Sequence, residues 1–123
     1  MKQRLIIVPT YNEVMNVPSL IPRLFKYIED ASILVVDDGS PDGTAAACEL
    51  LVKDFQELFI EKRSEKLGLG SAYRHGFAWG LERSYEEFIE IDADMSHRVR
   101  DLALMIKAKE ENPSVGLVIG SRW

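Results

Sequence analysis

Short apolar runs rich in β-branched residues alternate along this chain with stretches whose apolar positions recur every three to four residues. Leu5-Ile6-Ile7-Val8, Ile33-Leu34-Val35-Val36, Leu58-Phe59-Ile60, Phe88-Ile89-Glu90-Ile91 and Val115–Ile119 predict five strands. Runs this short and this branched suit a pleated sheet better than a helix. Four helices are expected between them. The first shows one apolar face at Leu20, Ile21, Leu24, Phe25 and Ile28, with Asn16 as cap and Pro18 in the first turn. The second covers about Thr44 to Phe55 and is capped near Asp42. The third covers Leu69 to Ser84, and the fourth Arg98 to Glu111, ended by Asn112-Pro113. A βαβαβαβαβ order predicts an α/β fold with a mostly parallel, doubly wound sheet. Right-handed crossovers would put helices on both faces. No repeat or linker interrupts the pattern, so residues 1–123 read as a single domain.

Composition narrows the classes. A chain of 123 residues can bury one core without staples. The formal net charge of −5, with no Lys/Arg block, argues against a nucleic-acid partner and against a polybasic membrane tether. Cys48 is the sole cysteine, which excludes a disulfide framework or a cysteine-rich metal site and suits a reducing compartment. The apolar run at Leu5–Val8 is too short for a signal-peptide core or a membrane span, and Pro9 ends it. A soluble, cytoplasmic protein is expected. Gly120-Ser121-Arg122-Trp123 follow the last strand at once, so the chain reads as cut rather than finished.

The candidate chemistry gathers where strands should end, which is where open α/β sheets bind ligands. Asp92-Ala93-Asp94 is the sharpest signal: two hard oxygen donors suited to Mg²⁺ or Mn²⁺ held against a diphosphate. The other reading is a surface acid pair in a loop. Asp37-Asp38 cannot both enter an apolar core unpaired, so at least one should face solvent, a metal or a ribose hydroxyl, with Asp38 favoured. Asp42 suits a helix cap better than a ligand. In Pro9-Thr10-Tyr11-Asn12-Glu13, Tyr11 offers a ring to a base and Glu13 an acceptor, or the segment is a plain turn. Arg63–Gly76 opens a helix with a flexible Gly-x-Gly, where backbone can approach an anion. It is neither a dinucleotide fingerprint, because Tyr73 stands at the third glycine position, nor a Walker loop. His75 suits a structural role, and His97 is either a helix cap or a group behind the acids. Trp79 suits the core. Arg122 could hold a phosphate through its planar fork.

Taken together, PTYNE, VVDDGSPDGT, EKLGLGSAYRHG, DADMSH and GSRW resemble glycosyltransferase family 2, and within it the dolichyl- or polyprenyl-phosphate mannose synthases. The resemblance implies a Rossmann-like GT-A fold and inverting transfer of mannose from GDP-mannose to a dolichyl or polyprenyl phosphate, with Mg²⁺ or Mn²⁺ as cofactor. It implies that Pro9, Tyr11, Glu13, Val36 and Gly68 line the nucleotide-sugar pocket and that Asp38 holds the guanosine part. Asp92, Ala93 and Asp94 would form the DxD segment, with Asp94 the main metal ligand and Asp92 nearer ribose or sugar. Ser96 stands where relatives often carry a Gln ligand, and Arg122 falls in a phosphate-facing GSR motif. Arg98-Val99-Arg100 departs from the proline usual after DxDxxH, which alters a helix start and not the metal site. A lipid phosphate acceptor is already ionised, with a second pKa near ~6, and needs little general base. Full catalytic domains of the family continue well past this length, so a donor-binding half with little turnover of its own is expected. It would act peripherally at a cytosolic membrane face, as a homo-oligomer or with a complementing chain. Alternatives are a polyprenyl-phosphate glucose synthase or other family 2 transferase, a noncatalytic nucleotide-binding half, and a receiver-like signalling domain.

Overall fold

Alternation along the strands decides the architecture. The computed structural model describes residues 4–94 and 99–111, with side chains through 108. Its elements are β1 (Arg4–Thr10), α1 (Val17–Tyr27), β2 (Ala31–Asp37), α2 (Thr44–Leu51), β3 (Leu58–Lys62), α3 (Leu69–Glu82), β4 (Glu87–Glu90) and α4 (Val99–Glu111). The strands form one parallel sheet in the order β3-β2-β1-β4. On one face Ile6, Val8, Ile33, Val35 and Ile89 pack with Leu20, Ile21 and Leu24 of α1, Cys48 of α2, and Val99, Leu102 and Ile106 of α4. On the other face Leu5, Ile7, Leu34, Val36 and Phe88 meet Ala72 of α3, with Tyr73 and Phe77 packed beside them. Every residue of β1 and β2 is buried, as expected of strands covered on both sides.

Four expected strands and four expected helices are thus present, with small shifts at their ends. Helix α2 stops at Leu51, not Phe55, because Val52 N–H turns back to Glu49 O and Asp54 N–H to Leu51 O, tightening the chain into three-residue turns. Asn16 precedes α1 without capping it through its side chain, which donates instead to Glu13 Oε2 at 2.7 Å. Pro18 does sit in the first turn. The fifth expected strand, Val115–Ile119, lies outside the described residues, as do Ser96, His97 and Arg122. No helix among the described residues is long and apolar enough to cross a membrane.

Helix α3 rests on the sheet through a stripe of small residues, Ala72, Gly76 and Gly80, all buried. A Cβ at Gly76 would come within 2.6 Å of Ile7 Cγ2, and one at Gly80 within 2.5 Å of the Phe88 ring. Gly76→Val is therefore expected to lose about 1–3 kcal/mol by overpacking. Urea denaturation checks this, and an unchanged midpoint would show that the helix can lift away freely.

Candidate functional site

The chain builds β1, β2 and β3 outward and then returns to place β4 on the other side of β1. That reversal leaves a crevice between the carboxyl ends of β1 and β4, where ligands of such sheets bind. Pro9 helps to keep it open. Ile7 O accepts Ile91 N–H at 3.1 Å on the β4 side, and Thr10 O accepts Asp38 N–H at 3.1 Å on the β2 side. Position 9 therefore faces β4, just past the last paired residue of that ladder, Ile7 with Glu90. The amide hydrogen that proline lacks costs no sheet bond there.

Beside this crevice lies a mostly apolar cleft of about 120 Å³, lined by Pro9, Thr10, Tyr11, Asp38, Lys66, Gly68, Leu69 and Ala72. Lys66 Nζ stands 4.6 Å over the Tyr11 ring at the cleft wall. Gly68 takes φ 96°, a conformation that favours glycine, as the loop enters α3. A larger hollow, about 500 Å³, opens beside Arg4, Tyr27 and Arg100 at the amino-terminal edge of the sheet. It lies away from the strand reversal and mixes the acids Glu29 and Asp30 with Arg4, Lys26, Arg100 and Lys107.

The two acids ending β2 are both buried, Asp37 at 1% and Asp38 at 5% exposure. This corrects the expectation that one must face solvent, a metal or a ribose, because internal donors satisfy both. Asp37 Oδ1 accepts Thr10 Oγ1–H and Ser40 Oγ–H, each at 2.7 Å, while Oδ2 accepts Ser40 N–H at 3.0 Å. It ties the tips of β1 and β2 together. Asp38 Oδ1 accepts Arg63 Nε–H at 2.7 Å, and Oδ2 accepts Leu67 N–H at 3.2 Å. Arg63 Nη2 lies 2.7 Å from the same Oδ1 in ionic contact, without hydrogen-bond geometry. Arg63 Nη1 donates to Ser71 Oγ at 2.8 Å, so Asp38 anchors the whole loop that opens α3.

Glu13 stands apart from the cleft lining, with its carboxylate on Asn16 and its N–H on Thr44 Oγ1. Asp42 accepts Thr44 N–H and Oγ1–H on Oδ1 and Val14 N–H on Oδ2. Desolvation alone would raise its pKa, but these hydrogen bonds outweigh it and hold the carboxyl below its usual range. Val36 and Ala93 are core residues, one on each face of the sheet, so their side chains pack and do not line the cleft. His75 pairs with Glu61 at 3.0 Å on a half-exposed surface.

At the tip of β4, Asp92 is half-buried and Asp94 exposed. Tyr73 Oη donates to Asp92 Oδ1 at 2.8 Å. The Tyr73 hydroxyl is pushed well above its ordinary pKa by burial first, then by the bond to Asp92 and the charges of Asp92, Glu90 and Asp94. Glu90 is raised by burial and by Asp92. The corner is thus crowded with negative charge. Among the described residues no three His, Cys, Asp or Glu groups converge as a complete metal cage. Two carboxylates nevertheless fit Mg²⁺ or Mn²⁺, ions that take oxygen ligands and complete their shells with water and substrate phosphate.

The sequence matches the model of Glycosyl transferase family 2 across residues 5–122. The chain belongs to glycosyltransferase family 2. It is 44% identical over 123 residues to the polyprenol monophosphomannose synthase of Mycolicibacterium smegmatis, covering 99% of this chain and 46% of that protein. It is 42% identical over 118 residues to the undecaprenyl-phosphate mannosyltransferase of Micrococcus luteus, covering 96% and 47%. The family 2 chain therefore spans about half the length of these curated relatives. Among solved structures it resembles a mannosyltransferase from Pyrobaculum calidifontis in complex with GDP-mannose and Mn²⁺, with TM-score 0.74, 25% identity and coverage of 93% and 34%. It shares the fold of Staphylococcus aureus TarS 1–349 in complex with UDP, with TM-score 0.70, 21% identity and coverage of 90% and 33%. The arrangement is the GT-A fold, and a receiver-like signalling domain is set aside.

Two residues of this family 2 site escaped sequence reasoning. The sequence marks Arg63 only as part of a glycine loop, and Tyr73 only as the residue that spoils a dinucleotide fingerprint. One signal was available for Tyr73: it adjoins Ala72 in the Ala72-Gly76-Gly80 stripe that marks the face of α3 turned to the sheet.

Proposed function

We propose that this chain is the donor-binding half of an inverting, metal-dependent mannosyltransferase that uses GDP-mannose and a polyprenyl phosphate acceptor. The observation that carries the reading is the pairing of a cleft at the β1 and β2 tips with an acid tip on β4, in a chain 44% identical to a polyprenol monophosphomannose synthase. The Pyrobaculum calidifontis structure, with its GDP-mannose and Mn²⁺, supports the donor and the cation.

In this reading Tyr11 and Pro9 flank the base, with Asp38 anchoring the cleft wall through Arg63 and Leu67 and the loop at Gly68 closing over it. Val36 and Ala93 contribute backbone beside Asp38, Asp92 and Asp94. Glu13 acts one step removed, through the turn it shares with Asn16 and Thr44. Asp94 as main ligand and Asp92 beside it would hold Mg²⁺ or Mn²⁺, with Asp92 also nearer sugar or ribose, and Ser96 and Arg122 would complete the cation and phosphate contacts. When bound, the cation offsets charge on the departing diphosphate. The chain's own residues bind and orient the donor, and an ionised acceptor phosphate asks for no dedicated base. The lipid acceptor would bring the protein to a membrane surface peripherally.

Thermal protection tests the assignment. GDP-mannose or GDP with Mn²⁺, at about a hundredfold excess over Kd, is expected to stabilise the chain by about 2.7 kcal/mol. For a domain of this size that is a rise in melting temperature on the order of 10 °C. UDP and UDP-glucose should do much less, and EDTA should remove the effect. Stronger protection by uridine nucleotides would overturn the guanine assignment and favour a glucose synthase.

A further inference from the structure

The first turns of α3 reach both acids of the site from one short stretch. Ser71 receives Arg63 Nη1, and Arg63 in turn holds Asp38. Two residues on, Tyr73 donates its hydroxyl to Asp92. The buried glycine stripe sets α3 close enough to β1 and β4 for a tyrosine in the helix to reach a strand tip. The Tyr73 ring packs against the α3-side core, so only its hydroxyl needs to meet the acid. That bond restricts the rotamers open to an aspartate two residues past the end of β4.

From these contacts we infer that Tyr73 is a positioning residue for the acid tip, its hydroxyl fixing the Asp92 carboxylate for the cation and the nucleotide diphosphate. The inference rests on the donor-site reading above. Through Tyr73 on one side and the Ser71–Arg63–Asp38 chain on the other, α3 braces the tips of β4 and β2. A loop displaced at Gly68 would then also disturb the cation's seat, although that seat lies on a different strand. Groups that orient metal-ligating carboxylates in this way commonly matter about tenfold or more for metal affinity.

Tyr73→Phe removes the hydroxyl and keeps the ring. Mn²⁺ titrations in the presence of GDP, followed by the electron paramagnetic resonance signal of the free ion, are expected to show about tenfold weaker Mn²⁺ binding. GDP affinity in EDTA should stay within twofold of the parent. In an Asp92→Asn background the same change should add less than twofold. Unchanged Mn²⁺ affinity in Tyr73→Phe overturns the inference. So does an equal loss of metal-free GDP binding, or a full tenfold effect in the Asp92→Asn background, since either assigns Tyr73 to packing alone. A parent protein that takes up no Mn²⁺ with GDP refutes the donor-site reading itself, and that result appears before any variant is compared.

Discussion

Asp94→Ala is expected to abolish the Mn²⁺-dependent protection by GDP while leaving the melting temperature of the ligand-free chain within about 2 °C of the parent. The asymmetry follows from where Asp94 sits. It is exposed at the β4 tip, so its removal opens no cavity in either core face. It also adds to the field that lifts the Tyr73 pKa. In the proposed donor site, the acids gathered at this tip would be stabilised once a cation arrives. Differential scanning fluorimetry with GDP, with and without Mn²⁺, is the measurement. An equal protective shift in variant and parent would remove Asp94 from the site.

Arg63→Met is expected to destabilise the chain by about 3–5 kcal/mol, the usual consequence of stripping one partner from a buried ion pair. The side chains of Arg63 and Asp38 are only 10% and 6% exposed, so water cannot take over the charge of Asp38. The Asp38→Asn change added to Arg63→Met should recover part of the loss, because an amide oxygen still accepts Leu67 N–H and no buried charge is stranded. Chemical denaturation of the single and double variants checks both statements. A loss below about 1 kcal/mol for Arg63→Met would mean that Asp38 reaches solvent after all.

These two residues also show what could be read from the chain in advance. The four described strands and the helices were legible because each carries its own periodicity, and the alternation Leu5/Ile7 against Ile6/Val8 assigns the two faces of β1 without further help. The acid tip was legible too, since a DxD at the end of an apolar run depends only on neighbours. The fate of Asp37 and Asp38 was not. Ser40 is local to Asp37, but the deciding partners, Thr10 on one side and Arg63 and Leu67 on the other, are 25 to 29 residues distant, and no local pattern pairs them. Tyr73 and Asp92 are likewise 19 residues apart and meet only because Gly76 and Gly80 lower α3 onto the sheet. Glu13 misled for the opposite reason. It sits beside cleft residues in the chain, yet the turn directs its carboxylate to Asn16.

Pro9 carries a last implication. A parallel ladder lengthens by adding one donor at a time, and the β4 side of β1 loses its next donor at the tertiary amide of Pro9. No change of solvent, ligand or loop position can supply a hydrogen that the covalent structure lacks. The gap between the tips of these two strands is therefore permanent, and in the proposed reading a ligand would find a fissure instead of having to pry one open.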